Sequence, residues 1–185
     1  MRLPAVLSRS EFPLSELGAL VLDGEAYRVD GCVCPIDEVP GPVQRAAALA
    51  RELPERLIAE QHSAAWIWGA QPSPPRRHEV CADITARTRP APRELISLRE
   101  VVLLHEDTTV LAGLAVTTPM RTAIDLARFV VEWDETEARI LRSLSTLGGF
   151  GILDCARAMN RRRNLPNKRV ALERLAASQN RSSQN

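Results

Sequence analysis

The chain has 185 residues, about 1.2 times the ~150-residue domain prior, so one domain or one domain with a small appendage is expected. Hydrophobic residues make up 45% and charged residues 25%, which excludes disordered, collagen-like and disulfide-scaffold classes. Lys and Arg total 24 against 23 Asp and Glu, a formal charge of +1, so bulk charge gives no reason to expect a nucleic-acid or membrane partner. No stretch approaches the ~18 consecutive apolar residues of a membrane span. The first residues, Met1 to Arg9, reach polar side chains before a signal-peptide apolar region of usual length is complete, so a cytoplasmic protein is expected. Four scattered cysteines, Cys32, Cys34, Cys81 and Cys155, are too few for a disulfide framework and read as reduced packing thiols.

In chain order, Leu14, Leu17, Val21 and Leu22 recur at helical spacing and Asp23-Gly24 supplies a stop, so a helix is expected over 14–22. Glu25 to Val29 and Cys32 to Pro35 flank Asp30-Gly31, a two-residue turn favouring φ > 0, which predicts a tight β-hairpin. Helix followed by hairpin reads as the back half of a winged helix. Pro40-Gly41-Pro42 marks a boundary, after which Val43 to Leu53 reads as a helix and Leu57 to Ala59 as a short buried strand. Ser63 is the expected N-cap of a helix over 64–68 that closes at Gly69. His78 to Thr88 alternates Val80, Ala82, Ile84 and Ala86 on one face, and 101–104 and 109–116 are further strand candidates. Thr118-Pro119 pairs a good N-cap with a residue preadapted to the first helical position, and opens the clearest helix. Asp134-x-x-Glu137 resembles a capping box for the next one. Gly148 to Gly151 reads as a turn between helices, followed by helices over 152–160 and 170–177. The expected class is therefore α+β: a reduced winged-helix-like N-terminus over 1–40, then a body over 43–178 with a central mixed β-sheet, packed helices and a helical C-terminus. A disordered tail over 179–185 completes it.

Catalytic and metal constellations are sparse. Cys32-x-Cys34 is spaced more tightly than the paired ligands of structural zinc sites, and His62, His78 and His105 show no i, i+4 pairing, so neither a metal nor another cofactor is assigned. Ser and Cys lie near His at His62-Ser63 and at His78 to Cys81, but no Gly-x-Ser-x-Gly elbow accompanies them. A nuclease needing Asp and then Glu-x-Lys to hold a divalent ion fails on residues, because the only lysine, Lys168, has Pro166 two positions before it. No catalytic residue is assigned and the protein reads as non-enzymatic. Trp66 and Trp68, about 200° apart on a helix, read as core rather than as one binding face. Arg121 and Asp125 at i, i+4 and Asp125 and Arg128 at i, i+3 read as an ion-pair cluster that anchors its helix against the sheet.

Charge by segment is uneven. Residues 1–60 carry six Arg against ten acids, whereas residues 157–185 carry seven Arg and one Lys against Glu173 alone. Arg157, Arg161, Arg162, Arg163, Lys168 and Arg169 fit a phosphate-contacting stripe, and equally a solvated helix end whose cations complement the dipole. A weaker basic stretch, Arg76, Arg77, Arg87, Arg89, Arg93 and Arg99, is partly offset by Glu79, Asp83 and Glu94.

The segment Gly113-Leu-Ala-Val-Thr-Thr-Pro-Met-Arg-Thr-Ala-Ile-Asp-Leu-Ala-Arg128 resembles the G-x-x-V-T-[ST]-P-x-R-T-x-x-D-L-A-R segment of AbiEi-family antitoxins and related actinobacterial regulators. His62-Ser-Ala-Ala-Trp-Ile-Trp-Gly69 resembles their S-A-A-x-x-[WH]-G helix, and Gly24 to Pro35 resembles the hairpin closing their N-terminal winged helix. The resemblance spans about residues 10 to 175. It implies a DNA-binding transcriptional regulator, the antitoxin half of a type IV toxin–antitoxin system, whose toxin is nucleotidyltransferase-like. Many relatives continue into a Vsr-like nuclease domain, and this chain is expected to lack it. Residues 1–13 leave little room for the helices that normally precede the wing.

The expectation is thus a non-enzymatic regulator that holds DNA through Arg28, Arg161, Arg162, Arg163, Lys168 and Arg169, with Thr118, Pro119, Arg121, Asp125 and Arg128 as the structural motif. A toxin-like partner and a homodimer are the further expected associations, and a membrane is not. The alternative is a protein-interaction or dimerisation module without DNA binding; a nuclease-related protein is the third reading.

Overall fold

A computed structural model describes residues 5–54, 56–84, 95–162 and 165–180. The N-terminal part starts with helix α1 (Leu14–Leu22), which leads through Gly24 (φ 75°) into hairpin β1 (Ala26–Val29) and β2 (Cys32–Pro35), with Asp30 at φ 53° in the turn. An antiparallel bridge from Leu7 to Val33 adds a third short edge to the hairpin. Leu7, Leu17, Ala26 and Val33 form a small core between these pieces.

Helix α2 (Pro42–Glu52) runs into strand β3 (Ile58–Ala59) and helix α3 (Gln61–Trp68), which Gly69 ends at φ 85°, a left-handed turn natural to glycine. Helix α3 begins earlier than the sequence suggests. Its N-cap is Glu60 rather than Ser63, and its early His62 N–H donates to the Glu79 carboxylate at 2.8 Å. A carboxylate from a distant strand therefore satisfies a donor that local capping chemistry would otherwise serve.

The remaining strands are β4 (His78–Asp83), β5 (Ile96–Val101), β6 (Thr108–Leu111) and β7 (Leu114–Thr117), and they build a five-stranded sheet with β3 in the order β5-β4-β3-β7-β6. The sheet is mixed: β3 pairs antiparallel to β4 and parallel to β7, β4 and β5 are parallel, and β6 and β7 are antiparallel. Two strand expectations are corrected. The stretch 109–116 is a hairpin rather than one strand, because Ala112 (φ 47°) and Gly113 (φ 83°) fold back in the left-handed region. The run at 101–104 is not a strand of its own: β5 starts at Ile96 in register with His78, and its pairing stops at Val101 opposite Asp83. The predicted strand residues 85–88 lie outside the described residues.

Four helices complete the chain: α4 (Pro119–Phe129), α5 (Glu135–Gly148), α6 (Ile152–Asn160) and α7 (Lys168–Asn180). Helix α4 packs against α3, α5, α6 and α7, and its apolar residues join those of the others in one core that includes Leu126, Leu141, Leu144 and Met159. A second core joins Val29, Cys32 and Cys34 of the hairpin to Leu49 of α2, Trp66 and Ile67 of α3 and Val116 of β7. The class is α+β, with a mixed sheet and a helical C-terminal part. Helix α7 reaches Asn180, and 181–185 lie outside the described residues. No helix among the described residues is long and apolar enough to cross a membrane.

Candidate functional site

Helix α4 carries the centre of the site. Thr118 caps it, accepting from Arg121 N at 3.4 Å, and Pro119 takes the first helical position. That start fixes the phase of the helix, so that Arg121, Asp125 and Arg128 point inward at spacings of four and three residues. Arg121 Nε donates to Asp125 Oδ2 at 2.6 Å and Arg128 Nη1 to Asp125 Oδ1 at 2.9 Å, with Asp125 wholly buried.

The network reaches well beyond the helix. Arg121 Nη1 donates to Asp107 Oδ2 at 2.7 Å, and Arg162 at the end of α6 donates to Asp107 Oδ1. Arg99 on β5 grips buried Glu60 through two bonds, at 2.8 and 2.6 Å, and lies 3.6 Å from Asp125 Oδ2. Arg128 Nε donates to the Pro166 carbonyl at 2.9 Å, which ties α4 to the start of α7. The Arg99 and Arg128 guanidiniums stand 4.1 and 4.4 Å from the centroid of the Phe129 ring, within cation–π range. Burial and then neighbouring Arg121 and Arg99 pull Arg128 below its usual range despite Asp125, whereas Asp125, Asp107 and Glu60 more than offset burial and hold Arg121 and Arg99 up. Four arginines thus lock around three carboxylates, and they line a cleft of about 580 Å3 together with Arg161 and Phe129.

A second polar cluster brings together Ser63, His78 and Asp30. Ser63 Oγ and His78 Nδ1 are 3.1 Å apart, and His78 Nε2 is 3.1 Å from Asp30 Oδ2. The residue types match a nucleophile–base–carboxylate relay, but Ser63 is 0% exposed and accepts from Glu79 N at 2.9 Å. A hydroxyl sealed in this way has no route to a substrate, so the relay fastens the hairpin turn to α3 and β4. Nearby, His62 bridges Glu79 (2.8 Å) and Glu137 (3.0 Å); burial lowers its pKa, but the two carboxylates outweigh it and hold the imidazole up at about 10.

All four cysteines are free and buried. Burial pushes the Cys32 thiol up to about 11 and Cys155 to about 12, and raises Cys34 and Cys81 as well. Cys32 and Cys34 sit in the second core, and among the described residues no group of His, Cys, Asp and Glu could hold a metal ion.

Against known proteins, residues 57–147 match the family model of the AbiEi antitoxin C-terminal domain. This segment belongs to the AbiEi antitoxin family. No curated protein matches the chain at a significant level. The crystal structure of the RV2827C protein from Mycobacterium tuberculosis shares 16% identity at a TM-score of 0.38, over 88% of this chain and 78% of that one. The AbiEi segment contains Glu60, Arg99, Asp107, Arg121, Asp125 and Arg128, while Arg162 enters the network from outside it.

The residues expected to meet DNA fall in two places. Arg28 is exposed on β1 of the hairpin, in the N-terminal part. Arg161 and Arg162 end α6, and Lys168 and Arg169 open α7; Arg163 lies outside the described residues. Arg162 turns inward to Asp107, Lys168 donates to Asn160 Oδ1, and Arg169 is 88% exposed beside Glu173 at 3.6 Å. Arg161 is exposed and has no carboxylate partner among the described residues. Arg174, also in the basic segment, donates to the Ala127 and Val130 carbonyls at 3.0 and 2.8 Å, which serves the open C-terminus of α4. Local spacing in the sequence exposes the Arg121–Asp125–Arg128 unit. It could not expose Glu60, Arg99, Asp107 and Arg162, whose partners are 14 to 55 positions away.

Proposed function

We propose that the protein is a non-enzymatic regulator of the toxin–antitoxin class that binds DNA, with its AbiEi domain serving the toxin side of the pair. An antitoxin domain implies a toxin partner of some kind, and a nucleotidyltransferase-like toxin is the partner proposed here. The observation that carries the DNA reading is the exposed Arg161, unpaired among the described residues, with Lys168 and the open Arg169 at the start of α7. Phosphate contacts need cations at the surface, and each phosphate so neutralised releases its condensed counterions and steepens the salt dependence of binding. Arg28 on the hairpin would add a contact from a winged-helix-like N-terminal segment. Arg162 contributes positive potential while it stays tied to Asp107; Arg163, outside the described residues, is kept as a candidate contact on its sequence alone.

The test is an electrophoretic shift with the chain's own upstream DNA at two salt concentrations. Neutralising Arg161 and Arg169 together should reduce the slope of log affinity against log salt by about 2, since each phosphate contact contributes ~0.9. Absence of any salt-sensitive shift at micromolar protein would sink the DNA reading.

A second reading, a protein-interaction or dimerisation module, is favoured by α1. That helix leaves Leu14 and Leu22 exposed, Leu22 at 89%, and apolar faces of this kind are candidates for partner surfaces. It predicts association that survives the same neutralisation and weakens with Leu22→Gln, read by analytical ultracentrifugation.

A further inference from the structure

We propose that the cleft bounded by β5, α4, the end of α6 and Pro166 binds a small, multiply charged phosphate, of which pyrophosphate is the simplest example. Its volume of about 580 Å3 lies within the ~300–1,000 Å3 of small-ligand sites. Five guanidiniums line it, Arg99, Arg121, Arg128, Arg161 and Arg162. Behind them, among the described residues, stand three carboxylates, those of Glu60, Asp107 and Asp125. Glu100, an acid on the lining itself, is exposed.

The hydrogen-bond inventory sharpens the point. Arg121 uses Nε and Nη1 on Asp125 and Asp107, and Arg128 uses Nε and Nη1 on Pro166 and Asp125. Their Nη2 groups have no acceptor among the described residues, nor does the Arg161 side chain. Guanidinium forks match phosphate oxygens two at a time, and donors in a partly desolvated cleft gain most from an ionised acceptor. The carboxylates behind hold the Arg99, Arg121, Arg128 and Arg162 forks in place before a ligand arrives, so little of their side-chain entropy is lost on binding.

The same geometry limits what can enter. Arg121 and Arg128 are buried at 5% and 6% exposure, and the phosphates of a duplex, held on a wide rigid cylinder, would meet the outer cations but not these. Phe129 already carries two guanidiniums, so recognition falls on the phosphates rather than on a stacked base. The inference is independent of the DNA reading, although Arg161 takes part in both.

Titration calorimetry of the full chain with pyrophosphate, at ionic strength matched by sodium chloride, tests it. Saturable binding is expected, weakened about 10-fold by Arg161→Gln, the loss of one charge-assisted contact. Arg161 has no partner among the described residues to disturb, and Arg139→Gln, a change at an exposed cation on α5, should bind as the parent does. Adenosine triphosphate should compete. Heat no greater than that of the salt control, equal weakening by the two variants, or failure of adenosine triphosphate to compete would each overturn the proposal. Since pyrophosphate binding is read without DNA, its failure leaves the DNA result standing, and the reverse.

Discussion

Asp125 accepts from two guanidiniums while fully buried, and removing its charge leaves Arg121 and Arg128 facing each other. Asp125→Asn should cost about 3–5 kcal/mol, the usual loss when one partner of a buried ion pair is neutralised, read as a shift in urea unfolding. His62 is the other residue whose charge is decided by its neighbours. Its folded pKa of about 10 lies above the unfolded value near 6.5. The resulting stability is therefore complete below about pH 6.5 and is lost as pH rises through 10. Unfolding free energy between pH 7 and 10 should fall by about 3.5 kcal/mol more in the parent than in His62→Gln. Parallel curves would show that the bridge carries no proton-linked stability.

At the scale of elements, the helices and the first hairpin are readable because their signals are local. Leu14–Leu22, Asp30-Gly31 and Thr118-Pro119 each state their element within a few residues. Two capping signals mislead for one reason: a tertiary partner replaces the local signal. Ser63 looks like a cap, but it serves the Glu79 amide; Glu137 looks like the return half of a capping box, but its carboxylate goes to His62. Asp134 still caps α5 through two amides at 2.8 and 3.1 Å, so Asp134→Ala should lower the thermal midpoint through a loss of about 1 kcal/mol. The β6–β7 turn is hard to read for a different reason, since alanine rarely marks a left-handed position. Ala112→Asn should stabilise the protein by roughly 0.5 kcal/mol, because Asn accepts φ > 0 at less cost. The arginine network lies outside local reach altogether, since Asp107 and Arg162 are 55 positions apart.

Over the whole molecule, the near-zero charge is a cancellation between an acidic first third and a basic end. The N-terminal end is not independent of the middle of the chain in packing, because the hairpin shares its core with α2, α3 and β7. Removing residues 1–40 would expose Leu49, Trp66 and Ile67, and the remaining chain should aggregate or unfold at lower temperature, as light scattering during a thermal ramp would reveal. The buried thiols have a practical consequence. Cys32 and Cys34 lie in one core, Cys155 in the other, and Cys81 within the sheet. All are shielded and protonated at neutral pH, so an alkylating reagent can reach each only when its own layer opens. The unmodified chain therefore has a built-in clock in each layer, and the order in which the four sites are labelled reports the order in which the molecule comes apart.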